Sequence, residues 1–166
     1  MIIGIGGVSR AGKSELAHRL KAIFESEGKT VDIFALDDFV KAKEDIPMVK
    51  DRIDWEHPEG IDYKSLFDTV KLAKSRYDVI ITEGHLIFSD ENLNQLFDRK
   101  LFLRIKRDVF LERRKRETRW GEEPDWYLNH VWDAYLEFGQ YPEINKEVLD
   151  CNDLIPDKEV DLLARI

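Results

Sequence analysis

Apolar residues along the chain follow two different spacings. Short runs rich in Ile, Val, Leu and Phe have the length of buried strands, whereas longer segments repeat their apolar residues every three or four positions, as amphipathic helices do. Helical stripes run from Leu16 to Phe24, from Leu66 to Ala73 and from Leu128 to Phe138. The short runs predict five strands, at Ile2–Val8, Thr30–Ala35, Tyr77–Thr82, Lys100–Ile105 and Glu147–Cys151.

Strands that alternate with helices predict an α/β fold in which a parallel sheet of about five strands is flanked by helices. Ligands bind such sheets beyond the carboxyl ends of the strands, so functional residues are expected directly after the strands. Residues 40–61 and 117–126 fit neither spacing, and each contains Gly and Pro. Long loops in a compact domain commonly act as flaps or lids, and a plain surface loop is the alternative.

The composition fits a single domain over residues 1–166, because 43% hydrophobic and 11% aromatic residues can fill a core. A net charge of −8 argues against general nucleic-acid binding, which depends on neutralising phosphates. The one cysteine, Cys151, cannot form an intrachain disulfide or a thiolate metal cluster. Without a long apolar run or a leader pattern, we expect a cytoplasmic protein with no membrane segment, present as a monomer or homodimer.

The pattern G-x-x-x-x-G-K-[ST] is satisfied by residues 7–14, GVSRAGKS, between a predicted strand and a predicted helix. In this pattern the glycines let the backbone wrap a phosphate chain, while N–H groups and the helix N-terminus supply positive potential. It predicts a P-loop NTPase, a three-layer fold that binds ATP and Mg²⁺. The rival is a dinucleotide fingerprint starting at Gly4, which has Ser9 at its third glycine position. The expected phosphate-binding residues are Gly7, Ser9, Ala11, Gly12, Lys13 and Ser14, with Lys13 on the β- and γ-phosphates and the Ser14 hydroxyl on Mg²⁺.

Acidic residues follow two of the predicted strands. Asp37 and Asp38 come directly after Thr30–Ala35, and Glu83 follows the apolar strand that ends at Thr82. A carboxylate beside a phosphate loop can accept the proton of an attacking hydroxyl or help to hold Mg²⁺. We therefore expect Asp37 and Glu83 to act at the metal, and one of the Asp carboxylates to act as a base. A turn or helix cap is the alternative for the Asp pair.

Residues 99–119 hold ten basic and three acidic side chains in an otherwise acidic chain. Arg113, Arg116 and Arg119 recur at every third position before a Gly and a Pro end the helical pattern. A solvated helix face is the ordinary explanation of such a run. The sharper hypothesis is a lid over residues 113–126, with Arg113 and Arg116 stabilising a transferring phosphoryl group and Arg119 contacting the nucleotide.

The loop at residues 40–61 contains Trp55, Glu56 and His57 in succession. The Trp55 ring can stack on a planar ligand, and the Glu56 carboxylate can accept hydrogen bonds from a sugar diol. His57 is a further candidate contact, and an anchor in the core is the alternative role of Trp55. Four basic residues of the same loop leave a phosphorylated acceptor open: Lys41, Lys43, Lys50 and Arg52.

These motifs resemble the uridine kinase and nicotinamide riboside kinase group of P-loop kinases, from Ile2 to about Gln140. The resemblance implies that Asp37 is the catalytic base, that Glu83 assists Mg²⁺ and that position 56 holds ribose hydroxyls, although the family usually has Asp where this chain has Glu56. Through the run His130-Val131-Trp132, it also makes Trp132 a candidate substrate contact. The matching segments are Gly7–Ser14, Asp37–Phe39, Trp55–Pro58, Ile81–Gly84, Arg113–Arg119 and His130–Trp132 followed by Tyr135.

The resemblance implies transfer of the γ-phosphoryl group of ATP, with Mg²⁺, to the 5′-hydroxyl of a ribonucleoside. Nicotinamide riboside is the first expected acceptor, and uridine or cytidine the second. The alternatives are a kinase for a nucleoside monophosphate or for a non-nucleoside alcohol such as pantothenate. A nucleotide-binding regulatory ATPase is the alternative from another class. The adenine side of the nucleotide is expected near Cys151–Asp153.

Overall fold

A computed structural model describes residues 1–117, 121–140 and 147–165. The strands are β1 (Ile2–Gly7), β2 (Val31–Ala35), β3 (Met48–Val49), β4 (Arg52–Ile53), β5 (Val79–Glu83), β6 (Arg99–Arg104) and β7 (Glu147–Asp150). The helices are α1 (Lys13–Ser26), α2 (Tyr63–Ala73), α3 (Glu91–Asn94), α4 (Arg107–Lys115), α5 (Asp125–Phe138) and α6 (Asp157–Ala164).

The main sheet contains five parallel strands in the order β2-β5-β1-β6-β7, with helices flanking it. This confirms the predicted α/β class and all five predicted strands, each of which ends within two residues of the expected position. The helical stripes become α1, α2 and α5. The short α3 and the C-terminal α6 were not predicted from the sequence. No helix in the described part of the chain has the length and apolarity needed to cross a bilayer.

The strand order creates the crevice in which the predicted residues meet. From the central β1 the chain passes to the edge strand β2, returns to β5 beside β1, and then crosses to β6 on the other side. The reversal beside β1 opens a crevice at the carboxyl ends of the strands. In the register, Ile5 of β1 pairs with Glu83 of β5, and Glu83 pairs with Ala35 of β2. The segments that follow β1 and β2 therefore emerge next to the end of β5.

Burial of the sheet on both faces explains why the strand sequences are continuously apolar rather than alternately apolar and polar. Every residue of β1 and β5 is buried, because helices cover both faces of the sheet. Helix α1 contributes Leu16, Leu20 and Phe24 to the core, and each is fully buried. Burying one such side chain contributes about 1.5–3 kcal/mol, so this packing fixes the position of the loop between β1 and α1.

The 40–61 loop is closed at its base by an antiparallel bridge between Val40 and Ile61. Two flanking backbone hydrogen bonds strengthen the closure, from Lys41 N to the Gly60 carbonyl at 2.9 Å and from Asp62 N to the Phe39 carbonyl at 2.8 Å. Within the loop, β3 and β4 form a small antiparallel hairpin that the sequence did not predict. Strands of two residues are too short to carry an alternating pattern, which is why the hairpin left no signal.

Candidate active site

The phosphate loop joins β1 to α1 through two glycines in the left-handed region. Gly7 has φ +139°, and a Cβ at this position would lie 2.3 Å from the Leu103 carbonyl oxygen of β6. Gly12 has φ +99° and precedes the first residue of α1. A side chain at Gly7 would therefore push β1 and β6 apart, and one at Gly12 would strain the backbone where the helix begins.

Lys13, the first residue of α1, points back over the loop. Its Nζ donates to the Val8 carbonyl at 3.1 Å. Burial lowers the pKa of Lys13 from its ordinary value, while the negative charges of Glu83, Asp37 and Glu56 oppose that shift. The ammonium thus lies in a partly desolvated crevice with three carboxylates around it, where added phosphate charge favours its protonated form.

Three oxygen-bearing side chains meet at the end of β5. The Ser14 hydroxyl donates to Glu83 Oε1 at 2.7 Å, and Glu83 is largely buried. Asp37 lies in a single 3-10 turn, Leu36–Phe39, directly after β2. Gly84 allows this turn to approach β5, because a Cβ at Gly84 would lie 2.3 Å from the Leu36 Cβ. The Asp37 carboxylate consequently lines the same crevice as Ser14 and Glu83.

This donor set fits Mg²⁺ in the manner that nucleotide enzymes use. Within residues 1–117, 121–140 and 147–165, His, Cys, Asp and Glu do not form a cluster of three or more suited to a metal ion. Mg²⁺ usually takes only one or two carboxylates from the protein and fills its remaining positions with water and substrate phosphates. A hydroxyl hydrogen-bonded to a carboxylate, with a second carboxylate nearby, suits such an arrangement. The metal roles of Ser14, Asp37 and Glu83 stay predictions.

A cleft of about 1140 Å³ extends from the phosphate loop in the direction of two groups of side chains. The first group lies after β7 and on α4, where the adenine side of a nucleotide is expected. We call the second group, contributed by the 40–61 loop, the end of β5 and the start of α5, the acceptor chamber. The first group comprises Arg113, Cys151, Asp153, Leu154 and Ile155, and the acceptor chamber comprises Arg52, Ile53, Trp55, Glu56, His85, Glu123 and Tyr127.

Contacts with His130 of α5 and with His85 after β5 fix the part of the 40–61 loop that lines the acceptor chamber. Buried Asp54 accepts from the Glu56 backbone N–H at 3.2 Å, and its Oδ1 lies 2.7 Å from His130 Nε2 of α5. His85, which follows Gly84, has its Nε2 3.2 Å from the Trp55 carbonyl and 3.5 Å from Glu56 Oε2. The Glu56 carboxylate is therefore held in the wall of the cleft, while the Trp55 ring remains 40% exposed.

Two arginines of α4 reach the phosphate loop. Arg113 donates to the Arg10 carbonyl at 3.2 Å and to the carbonyls of Cys151 and Asn152 at 3.0 and 2.7 Å. Arg114 donates from Nη1 to Ser9 Oγ at 2.6 Å.

Arg114 also forms a bidentate ion pair with Glu123. Its Nε and Nη2 donate to the two Glu123 oxygens at 2.7 and 2.9 Å. Although burial disfavours the cation, the hydrogen bonds and charge of Glu123 raise the pKa of Arg114. Arg114 was not among the predicted site residues. It lies in a run of consecutive basic residues, and nothing in the sequence distinguishes it from its neighbours.

Several predicted site residues do not line the cleft. Arg116 is exposed and pairs with Glu112 at 2.6 Å, because α4 ends at Lys115 and carries Arg116 away from the phosphate loop. The Trp132 ring packs 5.4 Å from Phe110 and 5.3 Å from Tyr135. The His57 ring contacts Phe138 edge-on at 5.1 Å. Gly7 shapes the loop without lining the cleft, and Arg119 lies outside the described residues.

The structure adds His85, Glu123 and Tyr127 to the cleft. His85 could have been predicted from the sequence, because it is the second residue after β5. The expectation that functional residues directly follow the strands, which placed Glu83 in the site, applies to it as well. Tyr127 is buried on α5 directly before the apolar stripe that begins at Leu128, and the sequence pattern gives it no functional role. Burial raises the pKa of Tyr127, and the nearby charges of Glu56 and Glu123 raise it further. The phenol is thus neutral and available to hydrogen-bond a ligand.

Comparisons with known proteins agree with this arrangement. The chain is 27% identical over 165 residues to nicotinamide riboside kinase 2 from Homo sapiens, a match that covers 87% of this chain and 70% of that protein. It is 29% identical over 140 residues to a uridine kinase from Chlamydia pneumoniae, covering 69% of this chain and 62% of that protein. No protein-family model matches the chain.

The fold recurs in solved structures. One titled as a possible uridine kinase from Bacillus stearothermophilus superposes with a TM-score of 0.60 at 17% identity, over 90% of this chain and 88% of that one. At this identity the likeness concerns the fold alone. The sequence matches, the phosphate loop and the five-stranded parallel sheet point to the same group. The chain is therefore similar in sequence to nicotinamide riboside kinases and uridine kinases, and it has the fold of the P-loop kinases.

Proposed function

We propose that this protein transfers the γ-phosphoryl group of ATP to the 5′-hydroxyl of a ribonucleoside, with nicotinamide riboside as the first acceptor and uridine or cytidine as the second. The observation that carries the proposal is the acceptor chamber. It joins an aromatic ring, Trp55, and a fixed carboxylate, Glu56, to a cleft that already contains the phosphate loop and Asp37. A protein that only hydrolyses nucleotide has no need of such a second chamber.

The residues of the phosphate loop bind and orient the donor. Its backbone N–H groups and the start of α1 face the phosphates, and the Lys13 ammonium lies where β- and γ-phosphate charge is expected. Ser14 and Glu83, with Asp37 nearby, would hold Mg²⁺, which would supply charge neutralisation on the phosphates. Arg113 and Arg114 add positive charge beside the loop, where the transferring group carries its charge.

Asp37 prepares the acceptor. Its carboxylate is exposed to the cleft, so it can accept the proton of the 5′-hydroxyl as that oxygen attacks the γ-phosphorus. Glu56 accepts hydrogen bonds from the two ribose hydroxyls, and the Trp55 ring packs on the base. Catalysis then depends on holding the hydroxyl in line with the phosphoryl group, because little covalent chemistry remains for the protein to perform.

The acceptor class is supported by the position of the basic residues in the 40–61 loop. Lys41, Lys43 and Lys50 are exposed and do not line the cleft, which leaves Arg52 alone to meet an acceptor. A nucleoside monophosphate carries a dianionic phosphate that usually calls for several basic side chains. The chamber suits an acceptor with a free diol better than a phosphorylated one.

The test is the release of ADP from Mg-ATP in the presence of single acceptors: nicotinamide riboside, uridine, cytidine, adenosine, uridine monophosphate and pantothenate. We expect one of the first three to raise the rate well above that without acceptor, with the phosphate found on the 5′-oxygen by mass spectrometry and NMR. Stimulation by uridine monophosphate or pantothenate alone would replace the proposal with the matching alternative. ATP hydrolysis that no acceptor changes would favour a regulatory ATPase.

A further inference from the structure

Arg52 is the basic residue of the 40–61 loop that enters the cleft. It lies in β4, where its side chain is half-buried and lines the acceptor chamber. Lys50, two residues earlier, turns the other way, and its ammonium lies 4.1 Å from the centre of the Trp126 ring. The hairpin thus presents one guanidinium to the inside of the chamber and one ammonium to the outside.

Arg52 and Glu56 line the same chamber, and both lie near Tyr127. The Arg52 guanidinium carbon lies 5.5 Å from the centre of the Tyr127 ring. Tyr127 in turn is close enough to Glu56 and Glu123 for both carboxylates to raise the pKa of its phenol. Arg52 is therefore part of the wall that faces the acceptor, on the same side as the residue expected to hold the ribose.

The charge of Arg52 is balanced differently from that of three other arginines along the cleft, while a fourth, Arg113, donates to backbone carbonyls. Arg10 pairs with Glu117, Arg19 with Asp157 and Arg114 with Glu123, each at 2.7 Å. Within the described residues, Arg52 has the Tyr127 ring as its contact and no carboxylate at ion-pair distance. Contact with the face of a ring does not use the N–H groups of a guanidinium, so the N–H groups of Arg52 can donate hydrogen bonds to a ligand.

We propose that Arg52 is a specificity residue that binds a carboxylate on the acceptor, so that the enzyme prefers an acceptor with such a group over its neutral or amide counterpart. The inference rests on the proposed function and deepens it. A planar guanidinium fork matches the two oxygens of one carboxylate. The same positive charge disfavours a cationic acceptor ring unless a carboxylate on that ring offsets it. Arg114, the other guanidinium near the chamber, is paired with Glu123, so the single positive charge of Arg52 fits this monoanionic group better than a phosphate.

The test compares two matched pairs of acceptors. Nicotinate riboside and nicotinamide riboside differ in a carboxylate against a carboxamide, and pantothenate and panthenol differ in a carboxylate against an alcohol. For each pair we would measure kcat/KM, and also the Kd by calorimetry with a non-hydrolysable ATP analogue and Mg²⁺ present. The proteins are the parent chain, Arg52→Gln, Arg52→Lys and the control Lys50→Gln.

We expect the parent protein to favour nicotinate riboside over nicotinamide riboside by about tenfold or more, the size of effect that a partly desolvated charge pair produces. Arg52→Gln should abolish this preference mainly through the Kd and KM of the carboxylate acceptor, with little change in the KM for ATP. Arg52→Lys should retain part of it, because the charge remains and the fork is lost. Lys50→Gln should keep the parental preference.

Equal use of the two ribosides by the parent protein, or a preference that survives in Arg52→Gln, would overturn the role of Arg52. Phosphorylation of uridine monophosphate that depends on Arg52 would overturn it in favour of a phosphate site. If neither riboside, uridine nor cytidine binds but pantothenate is preferred over panthenol through Arg52, the proposed nucleoside activity fails while the carboxylate site stands. If none of the four acceptors binds but uridine or cytidine is phosphorylated, the nucleoside activity stands and the role of Arg52 is wrong.

Discussion

Asp37 and Asp38 are neighbours in the sequence, yet the turn after β2 gives them different surroundings. Asp37 lines the cleft beside Lys13 and Glu83, whereas Asp38 does not line it. The strand-end rule could place the pair but could not choose between its members, because a single 3-10 turn decides which side chain points to the crevice. Substituting each of the two residues separately therefore gives a matched pair of variants within one turn.

We predict that Asp37→Asn lowers kcat by about 10²–10⁴-fold, because the amide cannot accept the proton of the acceptor hydroxyl. The side chain keeps its volume, so the Kd for ATP should change little. Steady-state kinetics and calorimetry measure the two quantities. Asp38→Asn is the control and should retain the parental kcat. Comparable turnover in the two variants would remove Asp37 from the role of base.

Cys151 lines the cleft on the side where the adenine is expected, but its thiol is nearly inaccessible. Burial raises the pKa of the thiol to about 11, and the charge of Asp150 adds to the shift. The thiolate is the reactive form, so alkylation at pH 8 should be about 200-fold slower than for an ordinary thiol with a pKa near 8.5.

Because the thiol of Cys151 titrates near pH 11, its alkylation rate should rise about tenfold per pH unit until that region. Mass spectrometry after timed iodoacetamide treatment at several pH values measures this dependence. The unfolded protein in urea supplies the reference, where the same thiol should react at the ordinary rate. Rapid alkylation of the folded protein at pH 8 would contradict the buried, neutral thiol.

At the scale of elements, the 40–61 loop and α5 are joined through Asp54 and His130. Asp54 Oδ1 lies 2.7 Å from His130 Nε2 and also accepts the backbone N–H of Glu56. The sequence analysis treated His130 only as part of a motif and assigned no task to Asp54. Their contact spans 76 positions in the chain, so only the folded arrangement of loop and helix reveals it.

We predict that His130→Ala raises the KM for the acceptor about tenfold, because loss of a hydrogen bond to a charged group lets Asp54, and with it Glu56, move. The KM for ATP should stay within twofold, since the phosphate loop does not depend on this contact. His130→Gln, which retains an N–H donor, should recover most of the affinity. His18→Ala on the exposed side of α1 is the control. Equal increases in both KM values would indicate general unfolding instead.

Most elements could be predicted from the sequence because the sheet is parallel and covered on both faces. Its strands read as short apolar runs, and α1, α2 and α5 repeat their apolar residues at helical spacing. The β3–β4 hairpin and α3 could not be predicted, since two or four residues carry no measurable period. The helix around Arg116 was predicted too long, because basic residues continue the pattern past the observed end of α4 at Lys115.

At the scale of the whole molecule, the basic segment does not act as one patch. Arg99 pairs with Glu147, Arg116 with Glu112 and Lys115 with Asp125, all outside the cleft. Among the described residues of the segment, Arg113 and Arg114 line the cleft beside the phosphate loop. At least three of its ten basic residues thus form ion pairs away from the cleft, and two arginines bring positive charge to it.

We predict that Arg114→Gln lowers the free energy of unfolding by about 3–5 kcal/mol, since it leaves the Glu123 carboxylate buried without its partner. The double variant Arg114→Gln with Glu123→Gln should recover much of this stability, because the uncompensated charge is gone. Its kcat should remain well below the parental value, as the guanidinium beside Ser9 is still missing. Urea unfolding and steady-state kinetics separate the two effects.

Arg116→Gln is the control for the Arg114 variants, because its ion pair with Glu112 is exposed. Such surface pairs contribute about 0–1 kcal/mol, so its stability should be close to that of the parent. A double variant with full activity would show that Arg114 serves stability alone. A double variant no more stable than Arg114→Gln would contradict the coupling with Glu123.

The sequence by itself determined the parallel α/β sheet, the phosphate loop and the strand-end carboxylates Asp37 and Glu83. These features depend on local spacing and on the general rule that ligands bind at the carboxyl ends of parallel strands. Tertiary structure alone decided which arginines reach the cleft, that Tyr127 and His85 line it, and that Arg52 faces inward while Lys50 faces outward. The direction of a side chain depends on where its helix ends and on which distant element packs against that helix or loop. A local sequence pattern predicts neither.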